Sequence, residues 1–175
     1  MERWLSLRLD GVLHGAIWQV ITYQFFHEKP FHLFANMLPL WSAGLPMEKQ
    51  LGIQRFLILY LIGGVVGGIM QLSLQASEAE ILLGASAAVY STLIGFCTFY
   101  APYRICTLLF FVVPLQLPAR CLGWGIILTS LVFAMMGWLP GVGHLAHLGG
   151  CIFGFLAVRC WMTRSAGLNK KHPLN

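Results

Sequence analysis

Charge is what this sequence has least of. Of its 175 residues only 10% are Asp, Glu, Lys or Arg, where a soluble domain carries roughly 25%, so an ordinary water-facing surface is excluded. Acidic residues number six, and none falls inside a long apolar run, which leaves a carboxylate out of any constellation built within those runs. The five cysteines are odd in number and form no C-x-x-C pair. Cys97, Cys106, Cys121, Cys151 and Cys160 read as small apolar fillers rather than a disulfide framework. Internal repeats and low-complexity tracts are absent, and the first 30 residues have no continuous apolar core of the kind a signal peptide needs.

Apolar residues are abundant, at 58% of the chain, and the mean hydropathy is +0.74. Spans of a bilayer need about 20 mostly apolar residues each. Candidates lie near 31–47, 56–73, 81–101, 121–139 and 143–162, separated by charge, proline or glycine. The expected fold is therefore all-α, a polytopic transmembrane helix bundle with about five visible spans. It divides into an interfacial outer segment over 1–30, a transmembrane core over 31–162 and a cytoplasmic tail over 163–175.

A net charge of +5 would suggest a nucleic-acid partner in a soluble protein; here the placement matters more. Lys49 and Arg55 follow the first candidate span, Arg104 and Arg120 the third, and Arg159, Arg164, Lys170 and Lys171 lie in or after the last. The alternate loops at 74–80 and 138–143 contain no Lys or Arg. The positive-inside rule puts the basic loops and the C-terminus in the cytoplasm, so the lipid bilayer is the expected partner and nucleic acid is not.

Residues 1–30 mix Trp4, Leu5, Leu7, Leu9, Leu13 and Trp18 with Arg3, Arg8 and Asp10, which fits a segment lying in the interface with tryptophan at headgroup level. The second span carries two overlapping G-x-x-x-G spacings, Gly63/Gly67 and Gly64/Gly68, which let another helix approach closely. Residues 102–120 hold Pro102, Pro114 and Pro118 around a run too short to cross, expected to fold against the inner face.

Polar residues break the apolar rule in three places. "HEKPFHLFANM" supplies His27, His32 and Asn36, with His32 and Asn36 at i, i+4 on one helical face. "LLGASAAVYS" places Gly84 and Ala85 before Ser86, with Tyr90 one turn later. "GVGHLAHLGGCIFGF" carries His144 and His147 beside Gly150 and Gly154. If Gly84 breaks the backbone, a helix from Ser86 to about Ala101 is only ~23 Å long against a hydrocarbon core of ~30 Å. Ser86 then lies below the outer surface, with 81–85 dipping in as irregular backbone, which is tolerated where protein buries it or water reaches it. His147, four residues into its helix, is ~6 Å down from the same side, and His32 and Asn36 are near the outer end of their span.

Each residue alone has a bland reading. A lone serine bonds its own helix, and a lone Asn or His can be interhelical glue. Four polar side chains from three helices at one depth are not predicted by those readings. A Ser with a His base is a nucleophilic pair for acyl transfer. His32, Asn36 and the Ser86 N–H at a helix N-terminus would serve as oxyanion donors. Without a carboxylate, the result is a dyad whose His is oriented by packing, against the Tyr90 ring. Gly150 and Gly154 let the His147 helix come close enough to Ser86 to share a proton.

These three stretches resemble, in order and spacing, the H-x4-H-x3-N, G-x-S-G-x-x-Y and A-H-x-x-G-x3-G signatures of the rhomboid intramembrane serine proteases. The resemblance runs from about Trp18 onward. It implies Ser86 as nucleophile, His147 as base, His32 and Asn36 as oxyanion-hole donors and Tyr90 as the aromatic under His147. It implies a structural role for His27, no metal or cofactor, a bacterial-type inner membrane, and single-span membrane proteins as substrates, cut near the outer end of an unstable helix. Three departures stand out. Ala87 replaces the glycine that usually follows the nucleophile, Gln19 stands where the family usually has arginine after tryptophan, and the further span usual before the 1–30 loop is missing, which points to a truncated chain or a misassigned start.

Two other readings compete. One is a catalytically inactive relative that binds transmembrane helices; the other is a metal or haem site built from His32, His144 and His147, for which i, i+3 spacing of the last two is suitable but which leaves Ser86 without a role.

Overall fold

The computed structural model describes residues 2–74, 81–109, 113–139 and 141–169. The outer-loop acids Glu78 and Glu80 and the tail residues Lys170 and Lys171 lie outside them. Three short helices, α1 (Glu2–Leu5), α2 (Leu9–Leu13) and α3 (Gln19–Thr22), lead through a 3-10 turn (Tyr23–Phe25) into α4 (Pro30–Leu51) and α5 (Ile53–Leu74). Next come α6 (Ser86–Phe99), a hairpin of β1 (Arg104–Leu109) and β2 (Val113–Pro118), then α7 (Ala119–Met136) and α8 (His144–Asn169). The chain folds as a helical membrane bundle.

The five expected spans correspond to α4 through α8. Ile53–Leu74, Ala119–Met136 and His144–Arg164 are each long and apolar enough to cross a bilayer. Helix α4 has the length, with 22 residues, but Pro39, Pro46, Glu48 and Lys49 interrupt its apolar run. Helix α6 has only 14 residues, eight of them buried, which makes it the central post: it packs against α4, α5, α7 and α8. At about 21 Å it is too short to reach both surfaces, as the depth argument requires. At its inner end Met47, Leu59 and Val158 form a fully buried cluster flanked by Phe56, Phe96, Tyr100 and Trp161.

Glycine sets the spacing of this bundle. A Cβ on Gly63 would meet Ser91, and one on Gly67 would meet the Ala146 carbonyl and the Ala87 methyl, so α6 and α8 both press onto one face of α5. The Ser91 hydroxyl donates to the Leu59 carbonyl at 2.7 Å. The second glycine pair does something the spacing did not foretell. Gly64 faces Gln24, and Gly68 faces Leu7 and Tyr23, so this pair seats the N-terminal segment rather than another span.

That segment is accordingly more than an interfacial strip. Trp4 and Trp18 stack at 6.1 Å and remain exposed, in keeping with a headgroup position. Ser6, Leu7, Tyr23 and Gln24 are buried, with the Tyr23 hydroxyl donating to the Gly64 carbonyl at 2.7 Å. Leu7 and Leu82 exchange two backbone hydrogen bonds of 3.0 Å, tying the segment to the irregular stretch ahead of Ser86. Gln19 is buried and accepts the Arg8 backbone N–H at 3.2 Å, so a neutral amide occupies the place after Trp18.

β1 and β2 pair antiparallel, with Arg104 opposite Pro118 and Leu109 opposite Val113. The apolar pattern alone did not separate these strands from a helical fragment. A two-stranded ribbon has only edges, so Pro114 and Pro118 cost it no interior ladder bond.

Candidate active site

Gly84 decides how Ser86 is presented. Its φ of +111° is open to glycine and strained for other residues, and its N–H donates to the Tyr23 carbonyl at 3.0 Å. The chain turns there and starts α6 at Ser86, whose N–H stands in the first helical turn, where amides have no intrahelical acceptor. A side chain at position 84 would also run into the His32 ring, whose Cε1 lies 2.7 Å from the ideal Cβ position.

His147 arrives from α8. Its Nε2 lies 2.8 Å from the Ser86 Oγ, a bond joining residues 61 apart in sequence. For Nε2 to accept that proton the ring must carry its own hydrogen on Nδ1. The Tyr90 ring is stacked on the imidazole at 4.1 Å and 15°. Among the described residues no carboxylate bonds His147; Glu28 lines the same cavity but pairs with Lys29 at 3.7 Å. The imidazole is thus held by stacking on Tyr90 and by its bond to Ser86.

The backbones of α6 and α8 touch to make this possible. A Cβ on Gly150 would meet the Ala87 carbonyl, and one on Gly154 the Ser91 carbonyl. The Ala87 methyl is itself buried, facing Gly67, so alanine is accommodated after the nucleophile because a glycine lies opposite.

Ser86, His147, His32, Asn36 and Tyr90 line one cavity of about 930 Å³. Asn36 is buried and donates one amide hydrogen back to the His32 carbonyl at 3.0 Å; the amide carries a second N–H, for which no acceptor is found among the described residues. All eight residues singled out in the sequence thus meet at one place, Gly84 as the turn, Gly150 and Gly154 as the contact surface, the other five around the cavity. His144 stands apart: its Nε2 is 2.9 Å from the Trp138 carbonyl and its ring meets His147 edge-on at 5.9 Å. Among the described residues no group of three His, Cys, Asp or Glu side chains is placed to hold a metal ion.

Two further residues support these elements, of which only His27 was expected to have a structural role. The buried Gln71 of α5 accepts the Ala146 N–H at 3.1 Å, capping the first turn of α8 beside His147. His27 accepts the Ala85 N–H on Nε2 at 3.2 Å and meets His32 edge-on at 5.1 Å. Burial, and then the neighbouring His32, lower the pKa of His27 below its usual value, and its bond to Ala85 needs the neutral ring. The unfolded chain protonates His27 near pH 6.5 while the folded chain resists, so its stabilising contribution is full above about pH 6.5 and is lost as pH falls through the lower folded value. Melting temperatures taken from neutral to acidic pH should therefore fall more steeply for the native chain than for His27→Ala. Parallel curves would remove His27 from this role.

The Rhomboid domain model matches residues 14–164 of this chain, a range that contains every residue of the cavity named above. The chain belongs to the rhomboid family. Among similar rhomboids, RHOMBOID-like protein 1 of Arabidopsis thaliana is 31% identical over 165 residues, covering 89% of this chain and 38% of the relative. Rhomboid protease GluP of Bacillus subtilis is 28% identical over 165 residues, covering 94% of this chain and 30% of the relative. Rhomboid protease GlpG of Serratia proteamaculans is 26% identical over 175 residues, covering 96% of this chain and 56% of the relative. This rhomboid thus spans between about a third and just over half the length of these curated relatives.

Proposed function

We propose that this rhomboid is an intramembrane serine endopeptidase that hydrolyses peptide bonds in or near transmembrane helices of single-span membrane proteins. The observation that carries the reading is the 2.8 Å contact between Ser86 Oγ and His147 Nε2 inside a cavity that also holds His32 and Asn36. Ser86 attacks the scissile carbonyl as His147 takes its proton, and His147 returns that proton to the leaving amine. Water then attacks the acyl-enzyme, and the same imidazole serves as base and acid again. The His32 side chain, the second Asn36 N–H and the Ser86 N–H receive the oxyanion. Neither metal nor cofactor enters the sequence of steps. Two of the relatives quoted above carry the name protease.

The basic ends of the helices argue for an inside C-terminus, and with bacterial relatives among the matches we place the protein in a bacterial-type inner membrane. The site then opens near the outer face, where a helix made unstable by small or breaking residues can unwind into it.

The deciding experiment is proteolysis of a single-span substrate in liposomes by this chain and by Ser86→Ala, followed by mass spectrometry of the products. Cleavage that requires Ser86 is expected; equal product from both chains, or none from a folded native chain, would reject the reading. The latter outcome would favour a helix-binding relative without catalysis.

Two smaller expectations belong to the same assay. His32→Ala and Asn36→Ala should each lower kcat by about 10²-fold to 10³-fold, the loss typical of one oxyanion donor, with KM little changed. His144→Ala should stay within a few-fold of the native rate, because its ring is spent on Trp138. If His144→Ala abolished turnover while His147→Ala did not, the base would be misassigned.

A further inference from the structure

A second recess lies between α6, α7 and α8, near the basic ends of those helices. It encloses about 380 Å³, and its walls include Ile94, Cys97, Ile127, Leu148, Ile152 and Phe155. Gly123 brings α7 onto α6 there, with its Cβ position 3.0 Å from that of Cys97. Ile126 lines the catalytic cavity while Trp124 and Ile127 line this recess, so the two spaces lie on different faces of α7. The one hydroxyl on its walls, that of Thr98, is already donated to the Ile94 carbonyl at 2.7 Å. The lining is otherwise apolar apart from two residues, Arg120 of α7 and Arg159 of α8. Both arginines are exposed, and the ion pairs found among the described residues use Asp10 and Glu28 instead. Trp124, 63% exposed, sits one turn past Arg120, at the level where tryptophan marks the headgroup boundary.

An apolar shaft with two guanidinium groups at one membrane face has a specific chemical complement. We propose that this recess binds one anionic phospholipid, with an acyl chain in the shaft and the phosphate between Arg120 and Arg159. Guanidinium forks suit phosphate oxygens, and basic pockets between helices on the cytoplasmic side hold anionic headgroups. A zwitterionic lipid brings the same phosphate together with its own ammonium, which cancels the attraction of the pair. A soluble phosphate would leave the apolar shaft unfilled. The occupant stands independently of the catalytic reading, because the recess shares no residue with the Ser86 cavity.

The test is native mass spectrometry of the intact chain released from mixed micelles containing phosphatidylglycerol or phosphatidylcholine of identical acyl chains. One phosphatidylglycerol should be retained at least 10-fold more tightly than phosphatidylcholine. Arg120→Gln combined with Arg159→Gln should bring the two lipids level, while Arg120→Lys with Arg159→Lys keeps part of the preference. Ile152→Trp, which fills the shaft and leaves both arginines, should release phosphatidylglycerol. Glycerol phosphate at the same concentration should not compete. Equal retention of both lipids by the native chain, a preference that survives the double glutamine change, or competition by glycerol phosphate would each overturn the proposal. Thermal melting of every variant confirms that it is folded.

Discussion

Ser86→Ala and His147→Ala should each lower kcat on a single-span substrate by on the order of 10⁴-fold to 10⁶-fold, the scale on which serine hydrolases lose activity without nucleophile or base. The two losses should not add. The hydroxyl and the imidazole act through one hydrogen bond of 2.8 Å, so removing the second partner takes away nothing that the first had not already disabled. The double variant should therefore be about as slow as either single one, measured by product mass spectrometry at saturating substrate. Ser86→Ala should keep a melting temperature close to the native value, because a part-buried hydrogen bond contributes only about 0.5–1.5 kcal/mol, whereas His147→Ala also removes a buried ring stacked on Tyr90 and should melt lower. A double variant slower than the singles by the product of their effects would show that the two residues act separately.

The second large effect belongs to the glycines under the dyad. Gly150→Val and Gly154→Val would press side chains into the Ala87 and Ser91 carbonyls, which are backbone atoms and cannot swing aside. Overpacking a tight interior costs about 1–3 kcal/mol where side chains can adjust, and here α8 itself has to back away from α6. Activity should be lost together with several degrees of melting temperature. Gly125→Ala is the control: a methyl at that position on α7 has open space around it and should leave both measurements near native, since alanine is the better helix former. Full activity in Gly154→Val would mean that the close α6 to α8 contact is dispensable.

Much of the site was legible because its signals are local. Apolar run lengths marked the helices, and the i, i+4 spacing of His32 and Asn36 marked a shared face. Gly84 ahead of Ser86 marked the turn that sinks the nucleophile. Depth then joined three distant segments, because a bilayer gives every span a common axis along which residues can be counted. What stayed hidden depends on pairings across the fold. Gln71 capping α8 and Gln24 seated on Gly64 are single polar residues whose partners lie tens of residues away, with no periodicity to announce them, and the structural role expected of His27 carried no hint that its partner is the Ala85 amide. The pairing of β1 with β2 was hidden for another reason, since a short apolar run reads alike for a buried helix and a strand.

The Leu7 and Leu82 backbone pair gives the N-terminal segment a mechanical standing. Leu82 stands four residues ahead of Ser86, and the same segment is also held on α5, where Leu7 and Tyr23 sit against Gly68. A displacement of the N-terminal segment is therefore expected to reach the turn at Gly84 directly, so the alignment of Ser86 depends on how that segment is held.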